Sequence, residues 1–288
     1  MKQRVITAVI AILILIPFLI FSDTAAFVFL ACLLSVLSAY ELLGCVGYRR
    51  KLYVTVPTYI LAVSVSCCTR FGDSDNPTFI SIVFFQYFIY IVLLFTIAVF
   101  SKGKVKFENV SVLIVMMIYA TFGFSALVRL RDLPHGKLLY LMALLMPWVS
   151  DTFAYFSGRF FGRHKLIPEV SPKKTVEGAI GAIIGSCAVT VVYGIVCASF
   201  FDLSVNLFLL AVVGILISIV AQCGDLIASM VKRSYGIKDY GWILPGHGGI
   251  LDRFDSIIAT SSLVYIYCLS FPFFFSQNPV NPVLFVSK

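Results

Sequence analysis

Seven of the chain's 14 acidic residues fall in two short stretches, each of which also carries basic and hydroxyl side chains. The longer stretch, Gly224 to Ser256, contains Asp225, Ser229, Lys232, Arg233, Lys238, Asp239, His247, Asp252, Arg253 and Asp255. Asp225, Ser229 and Lys232 stand at i, i+4 and i+7, which on a helix puts them on one face. Asp252 and Asp255, at i and i+3, share a face in the same way. Between them Pro245-Gly246 breaks the chain. Gly246, Gly248 and Gly249 allow a tight turn with N–H groups free to face an anion. This set suits phosphate chemistry. Carboxylate oxygens hold Mg²⁺, and Lys and Arg neutralise phosphate oxygens. Two metal ions can stabilise both the attacking and the leaving oxygen. A plainer reading makes the segment a helical hairpin with Asp252 and Asp255 as N-terminal caps. That accounts for either aspartate alone better than for the whole cluster.

The other stretch runs from Ser150 to Gly178 and holds Asp151, Glu169 and Glu177. Asp151 follows Pro147, which should kink or break its helix. Ser171-Pro172-Lys173-Lys174-Thr175 then supplies hydroxyls and two ammonium groups. On its own it also reads as a basic loop touching anionic headgroups.

The elements that must position these residues are membrane helices. Sixty per cent of the 288 residues are apolar or aromatic and 12% are charged, about half the charged fraction of a soluble domain. Lipid must be the solvent for that much apolar surface. Nine candidate spans fall near 5–22, 25–47, 52–69, 78–100, 109–128, 138–157, 177–200, 206–231 and 256–275. The third is short and partly polar. The first follows Lys2 and Arg4 like a signal peptide, but it is long enough to span and no convincing cleavage site follows. The span ending in Asp225–Arg233, extended through Arg233, is 28 residues or roughly 42 Å, so its end projects from the hydrocarbon. The expected fold is an all-α polytopic transmembrane bundle, a single integral membrane domain over 1–288. Its N-terminal helices occupy 1–131, and its catalytic region, 132–288, has two motif loops.

With the N-terminus in the cytoplasm, 17 Lys and Arg fall on cytoplasmic segments and five outside: Arg70, Arg129, Arg131, Lys137 and Lys288. Removing the last cytoplasmic loop, whose cations are candidate ligands, still leaves 13 against five. This places both motif loops at the cytoplasmic edge and the C-terminal tail outside. One pocket there would take a nucleotide from water and a lipid phosphate from the bilayer. Ionisable groups clustered at a membrane edge point to a functional site. Topology also explains the net charge of +8, so no nucleic-acid partner is implied. The eight cysteines lie in or beside apolar runs without metal-like spacing and read as small apolar residues. His135 and His164 read as solvated loop residues, and an interfacial position explains Glu41 as well as a site role does.

These residues resemble the phosphatidate cytidylyltransferase, or CDP-diacylglycerol synthase, family. The family signature runs from Ser229 through Lys232-Arg233, Lys238-Asp239, Gly241, Pro245, His247-Gly248-Gly249 and Asp252-Arg253 to Asp255, and every constrained position matches over 27 residues. The Ser-Asp-Thr and Ser-Pro-Lys-Lys-Thr stretches, the length and the span count are also similar. The resemblance is weak over roughly the first 130 residues. Phe153, Val176 and Ala228 depart from residues common in the family: glycine, tryptophan and glutamate respectively.

The resemblance implies Mg²⁺-dependent transfer of a cytidylyl group from CTP to phosphatidate, giving CDP-diacylglycerol and pyrophosphate for phospholipid synthesis. On it, Asp225, Asp252 and Asp255 are the metal ligands, for one or two ions, and with Lys232 they form the catalytic set. Ser171, Lys173, Lys174, Thr175, Ser229, Arg233, Lys238, His247, Gly248, Gly249 and Arg253 are the substrate contacts. His247 is a proton donor, a phosphate contact or a packing residue of the turn. The resemblance also implies a homodimer and, in a bacterium, the inner (cytoplasmic) membrane. The nearest alternative is a CTP-dependent lipid-alcohol kinase for polyprenol or phytol, which would release CDP. A transporter would place its charges at the midplane rather than at one edge. The acidic motif of CDP-alcohol phosphotransferases is absent.

Overall fold

In lipid, backbone N–H and C=O groups must be satisfied within their own segment, so long apolar runs become helices. A computed structural model describes residues 2–71, 77–275 and 285–287; Lys288 of the charge count lies outside them. The helices among the described residues are α1 Lys2–Ile20, α2 Ala25–Cys45, α3 Leu52–Phe71, α4 Pro77–Phe100, α5 Phe107–Asp132, α6 Gly136–Phe161, α7 Val176–Phe201, α8 Leu207–Ser234 and α9 Leu251–Phe275. Each overlaps one expected span, with ends that differ by up to about five residues. Seven of them, α2 to α8, are long and apolar enough to cross a membrane among the described residues; α1 contributes a shorter apolar stretch, Val9–Ile20. In the weak third span the hydroxyls bond back to their own helix. Thr58, Ser66 and Thr69 donate to Val54, Ala62 and Val65 carbonyls at 2.8, 3.0 and 2.6 Å.

Two compact units emerge. The first comprises Met1–Arg129 and Val231–Phe254, the second Leu130–Met230 and Asp255–Lys288. The first therefore takes most of the signature segment together with the N-terminal helices. Its core includes Leu42 and Leu43 of α2, Leu94 of α4, and Leu113, Met117 and Phe124 of α5, all sealed from solvent. Between elements, Asn109 donates to the Val46 carbonyl at 3.2 Å and the Lys106 N–H donates to the Tyr48 hydroxyl at 2.7 Å.

In the second unit α6 and α7 pack closely. Small residues let the two backbones approach. A Cβ on Gly178 would lie 2.8 Å from the Ala154 carbonyl oxygen, one on Gly181 would strike Ser157, and one on Gly185 would strike the Phe153 ring. Phe153 thus fills the volume that Gly185 leaves. Of the kink or break expected at Pro147, the break does not occur: α6 runs through it as one helix. Its ring removes the N–H that would reach Ala143, and the Thr260 hydroxyl donates to that carbonyl at 3.1 Å instead. Two short antiparallel ribbons complete the unit: β1 Lys165–Ile167 with β2 Ser171–Thr175, and β3 Leu203–Val205 with β4 Phe285–Ser287.

Candidate active site

The signature segment in the first unit is organised by carboxylates. Lys232, in the last turn of α8, reaches Asp252 in the first turn of α9, with Nζ 2.7 Å from Oδ1. The other Asp252 oxygen accepts the N–H groups of Tyr240 at 2.8 Å and Gly249 at 2.9 Å. Both side chains are nearly sealed, at 10% and 2% exposure. Burial of a pair this close demands that its remaining lone pairs be met, which the two N–H groups do.

The turn itself corrects one expectation. The Gly248 N–H donates to the Leu244 carbonyl at 3.1 Å and the Gly249 N–H to the chain's own Asp252 carboxylate at 2.9 Å, so both are already engaged within the protein. What glycine supplies is different at each position. Gly248 has φ +91°, a left-handed conformation. Gly249 abuts Glu41. Glu41, for which an interfacial position and a site role were equally good readings, is fully buried within the protein. Its two oxygens accept the Ile250 and Leu251 N–H groups at 2.8 and 2.9 Å.

The exposed basic residues divide. The Arg233 guanidinium donates to the Ile237 carbonyl at 3.1 Å and the Arg253 Nε to the His247 carbonyl at 2.9 Å. A guanidinium has five N–H donors, so both keep donors for phosphate. Lys238 is exposed. His247 Nδ1 is buried without a hydrogen-bond partner among the described residues.

In the second unit the Ser171–Thr175 segment is a strand rather than an irregular loop, pairing Lys165 with Thr175 and Ile167 with Ser171. Thr175 also caps α7, its hydroxyl oxygen accepting the Gly178 N–H at 3.1 Å. Glu177 locks the preceding turn. It accepts the Arg163 N–H at 3.1 Å and the His164 N–H at 3.2 Å, and lies 2.6 Å from the exposed His164 Nδ1. The ribbon borders a cavity of about 330 Å³ whose polar lining is Asp151, Tyr155, Arg159, Lys173, Lys174 and Gln222. Lys174 Nζ lies 2.5 Å from Asp225 Oδ2. Ser229 and Asp255 are buried, and Asp255 Oδ1 accepts the Ser256 N–H at 2.7 Å.

Sequence reasoning gave no role to Tyr155, Arg159 or Gln222, and singled out Glu177 only as one of the clustered acids. Asp151, Tyr155 and Arg159 stand at i, i+4 and i+8 on α6, a spacing that marks one helix face. The departures are also placed: Ala228 is buried, and Phe153 sits against Gly185. All eight cysteines are free thiols.

The carboxylates supply the hard oxygen donors that Mg²⁺ takes. Asp252 has three of about four lone-pair positions filled, leaving one. No three His, Cys, Asp or Glu side chains converge as a metal cluster among the described residues. The donor type suits a hard cation, but among the described residues these carboxylates are engaged with the chain's own groups rather than gathered into a cluster.

A polytopic helical bundle carrying this lysine, arginine and carboxylate set is similar in sequence to enzymes of nucleotidyl transfer, and residues 2–271 match the cytidylyltransferase family; the chain belongs to that family. Its relatives include proteins named phosphatidate cytidylyltransferase. That of Staphylococcus haemolyticus is 37% identical over 270 residues, covering 92% of this chain and 98% of the relative. Those of Staphylococcus epidermidis and Staphylococcus aureus are 36% and 35% identical over 269 residues, with the same coverage.

Proposed function

We propose that this chain is a phosphatidate cytidylyltransferase, joining CTP and phosphatidate into CDP-diacylglycerol and pyrophosphate in phospholipid biosynthesis. The observation that carries the reading is the near-full-length match to relatives of that name, with the signature from Ser229 to Asp255 intact. A phosphatidate oxygen forms a bond to the α-phosphorus of CTP, and the α–β phosphoanhydride bond breaks. The nucleophile is already an anion, so no strong general base is required. The chain's tasks are to position two anions and to stabilise charge on the departing pyrophosphate.

Residue roles follow from chemistry. Lys173, Lys174, Arg233, Lys238 and Arg253 are the phosphate contacts, and Ser171, Thr175, Ser229 and His247 the polar ones. Gly248 and Gly249 shape the turn beside them. Lys232 and Asp252 form the buried charged centre of the signature. Asp225, Asp252 and Asp255 would hold one or two Mg²⁺ ions, which when bound neutralise triphosphate charge. The positive-inside count supports nine spans, a cytoplasmic N-terminus and a cytoplasmic-facing site. Bacterial relatives support the cytoplasmic membrane, which in a cell with two membranes is the inner one. A homodimer rests on the family resemblance and is tested by the mass of the detergent-solubilised protein.

The decisive experiment supplies purified protein with phosphatidate, Mg²⁺ and CTP labelled at either the α- or the γ-phosphate. The expected result is α-label in lipid and γ-label in pyrophosphate. γ-Label in an added lipid alcohol, with CDP released, would replace this reading with the kinase. No product of either kind from monodisperse protein would remove the enzyme assignment.

A further inference from the structure

Glu41 lies near the end of α2, in the apolar run Ala39–Leu43, where a carboxylate is an expensive residue to bury. It is nevertheless fully buried. Each carboxylate oxygen receives one N–H group, from Ile250 at 2.8 Å and from Leu251 at 2.9 Å. The neighbouring Gly249 N–H goes to Asp252. Three consecutive N–H groups, at 249, 250 and 251, are thus held by two carboxylates from different helices. The first-turn N–H groups of a helix have no partner within it, and negative charge is favoured beside them.

The steric record agrees. A Cβ on Gly241 would lie 2.7 Å from Glu41 Oε1, and one on Gly249 would lie 2.5 Å from the same atom. Two glycines of the signature therefore leave room for Glu41. One carboxylate thus holds the backbone just before Asp252 by two hydrogen bonds and packs against Gly241 at the other end of the segment that carries His247. A carboxylate needed only as a hydrophilic edge residue would not meet two N–H groups and two glycine faces at once.

We propose that Glu41 is a positioning residue for cytidylyl transfer: it fixes the Gly249–Leu251 backbone, and through it the direction of Asp252 and its Lys232 partner. This rests on the cytidylyl-transfer reading above. Glu41 touches no substrate in this role and acts through Asp252.

The test is steady-state kinetics of monodisperse full-length protein with α-labelled CTP and phosphatidate. Glu41→Gln turns an amide NH₂ toward one of the two N–H groups, and kcat should fall about tenfold or more while KM for CTP changes little. Glu41→Ala should fall further. Gly249→Ala, which sets a methyl group against the carboxylate, should be as damaging as Glu41→Gln in the wild-type background. It should be much less damaging on Glu41→Asp, where the shorter side chain vacates that volume. A residue needed only for folding would lower yield and leave kcat per folded molecule intact, without this reciprocity. Full kcat in Glu41→Gln and Glu41→Ala, or additive losses in the Gly249→Ala and Glu41→Asp pair, would overturn the proposal. Should neither Gln nor Ala yield monodisperse protein, Gly241→Ala and Gly249→Ala test the same contact, and full kcat in both overturns it. A wild-type protein that makes no CDP-lipid would remove the functional reading instead, which separates the two failures.

Discussion

Lys232 and Asp252 face each other across 2.7 Å, twenty residues apart in sequence, with both side chains nearly closed to solvent. Removing either charge leaves the other buried and uncompensated. Asp252→Ala also orphans the Tyr240 and Gly249 N–H groups. Breaking a buried pair in this way costs about 3–5 kcal/mol. Asp252→Ala should therefore lower the thermal unfolding midpoint in detergent and abolish transfer. Asp252→Asn, which keeps the shape and can still accept an N–H, should melt closer to wild type yet remain inactive. An Asp252→Asn protein with full turnover would dismiss the charge at this position as unnecessary.

The Lys174–Asp225 pair is of another kind. Its side chains are 23% and 29% exposed, so its own contribution to stability is small, about 0–1 kcal/mol. The expectation lies in function. Lys174→Ala should raise KM for CTP more than it lowers kcat, because it removes a phosphate contact beside the cavity. Asp225→Asn should shift the magnesium dependence of activity to higher concentration, and should weaken magnesium-induced thermal stabilisation of the protein without nucleotide. Unchanged magnesium titrations in both measurements would take Asp225 out of the proposed ligand set.

Glu177 holds the turn before the ribbon through two backbone N–H groups and His164. Glu177→Ala frees that turn and loosens the strand carrying Lys173 and Lys174. The expected outcome is a higher KM for CTP, faster proteolysis within 162–175, and a nearly unchanged melting point. Unchanged KM and unchanged proteolysis would mean that the ribbon holds itself in place without Glu177.

Hydropathy made the helices legible because a membrane enforces one rule on every span: twenty or so apolar residues and internally satisfied backbone. Span positions followed to within a few residues at most ends. The signature was legible for a related reason, since ionic side chains beside lipid need a chemical purpose. What the sequence hid were relationships between distant positions. Nothing near Glu41 says that its partners are Ile250 and Leu251, more than two hundred residues away. Thr260 gives no local sign that it repairs the carbonyl left by Pro147. The glycines of the turn read as an anion cradle because glycine permits that. Here the Gly248 and Gly249 N–H groups go to Leu244 and Asp252, and close approach to Glu41 explains Gly249. Ser171–Thr175 read as a loop because four polar residues and a proline carry no alternation of apolar side chains; pairing with Lys165–Ile167 makes it a strand.

Phe153 and Gly185 form the last reciprocal pair. The Phe153 ring occupies the space a Gly185 Cβ would need. Gly185→Leu should force α6 and α7 apart, because overpacking of this kind costs about 1–3 kcal/mol and the helix backbones cannot yield as a side-chain tip can. The α6–α7 pair also carries Asp151, Tyr155 and Arg159 on one side and the Thr175 cap on the other, so separation should widen the cavity and raise KM for CTP. Phe153→Gly in the same chain should restore both melting point and KM, since it removes the ring that the new side chain meets. Phe153→Gly alone should leave a void and lower the midpoint modestly. If Gly185→Leu and the double variant melt alike, the contact between ring and glycine does not set the spacing of these helices, and the small residues Gly178 and Gly181 must carry it by themselves.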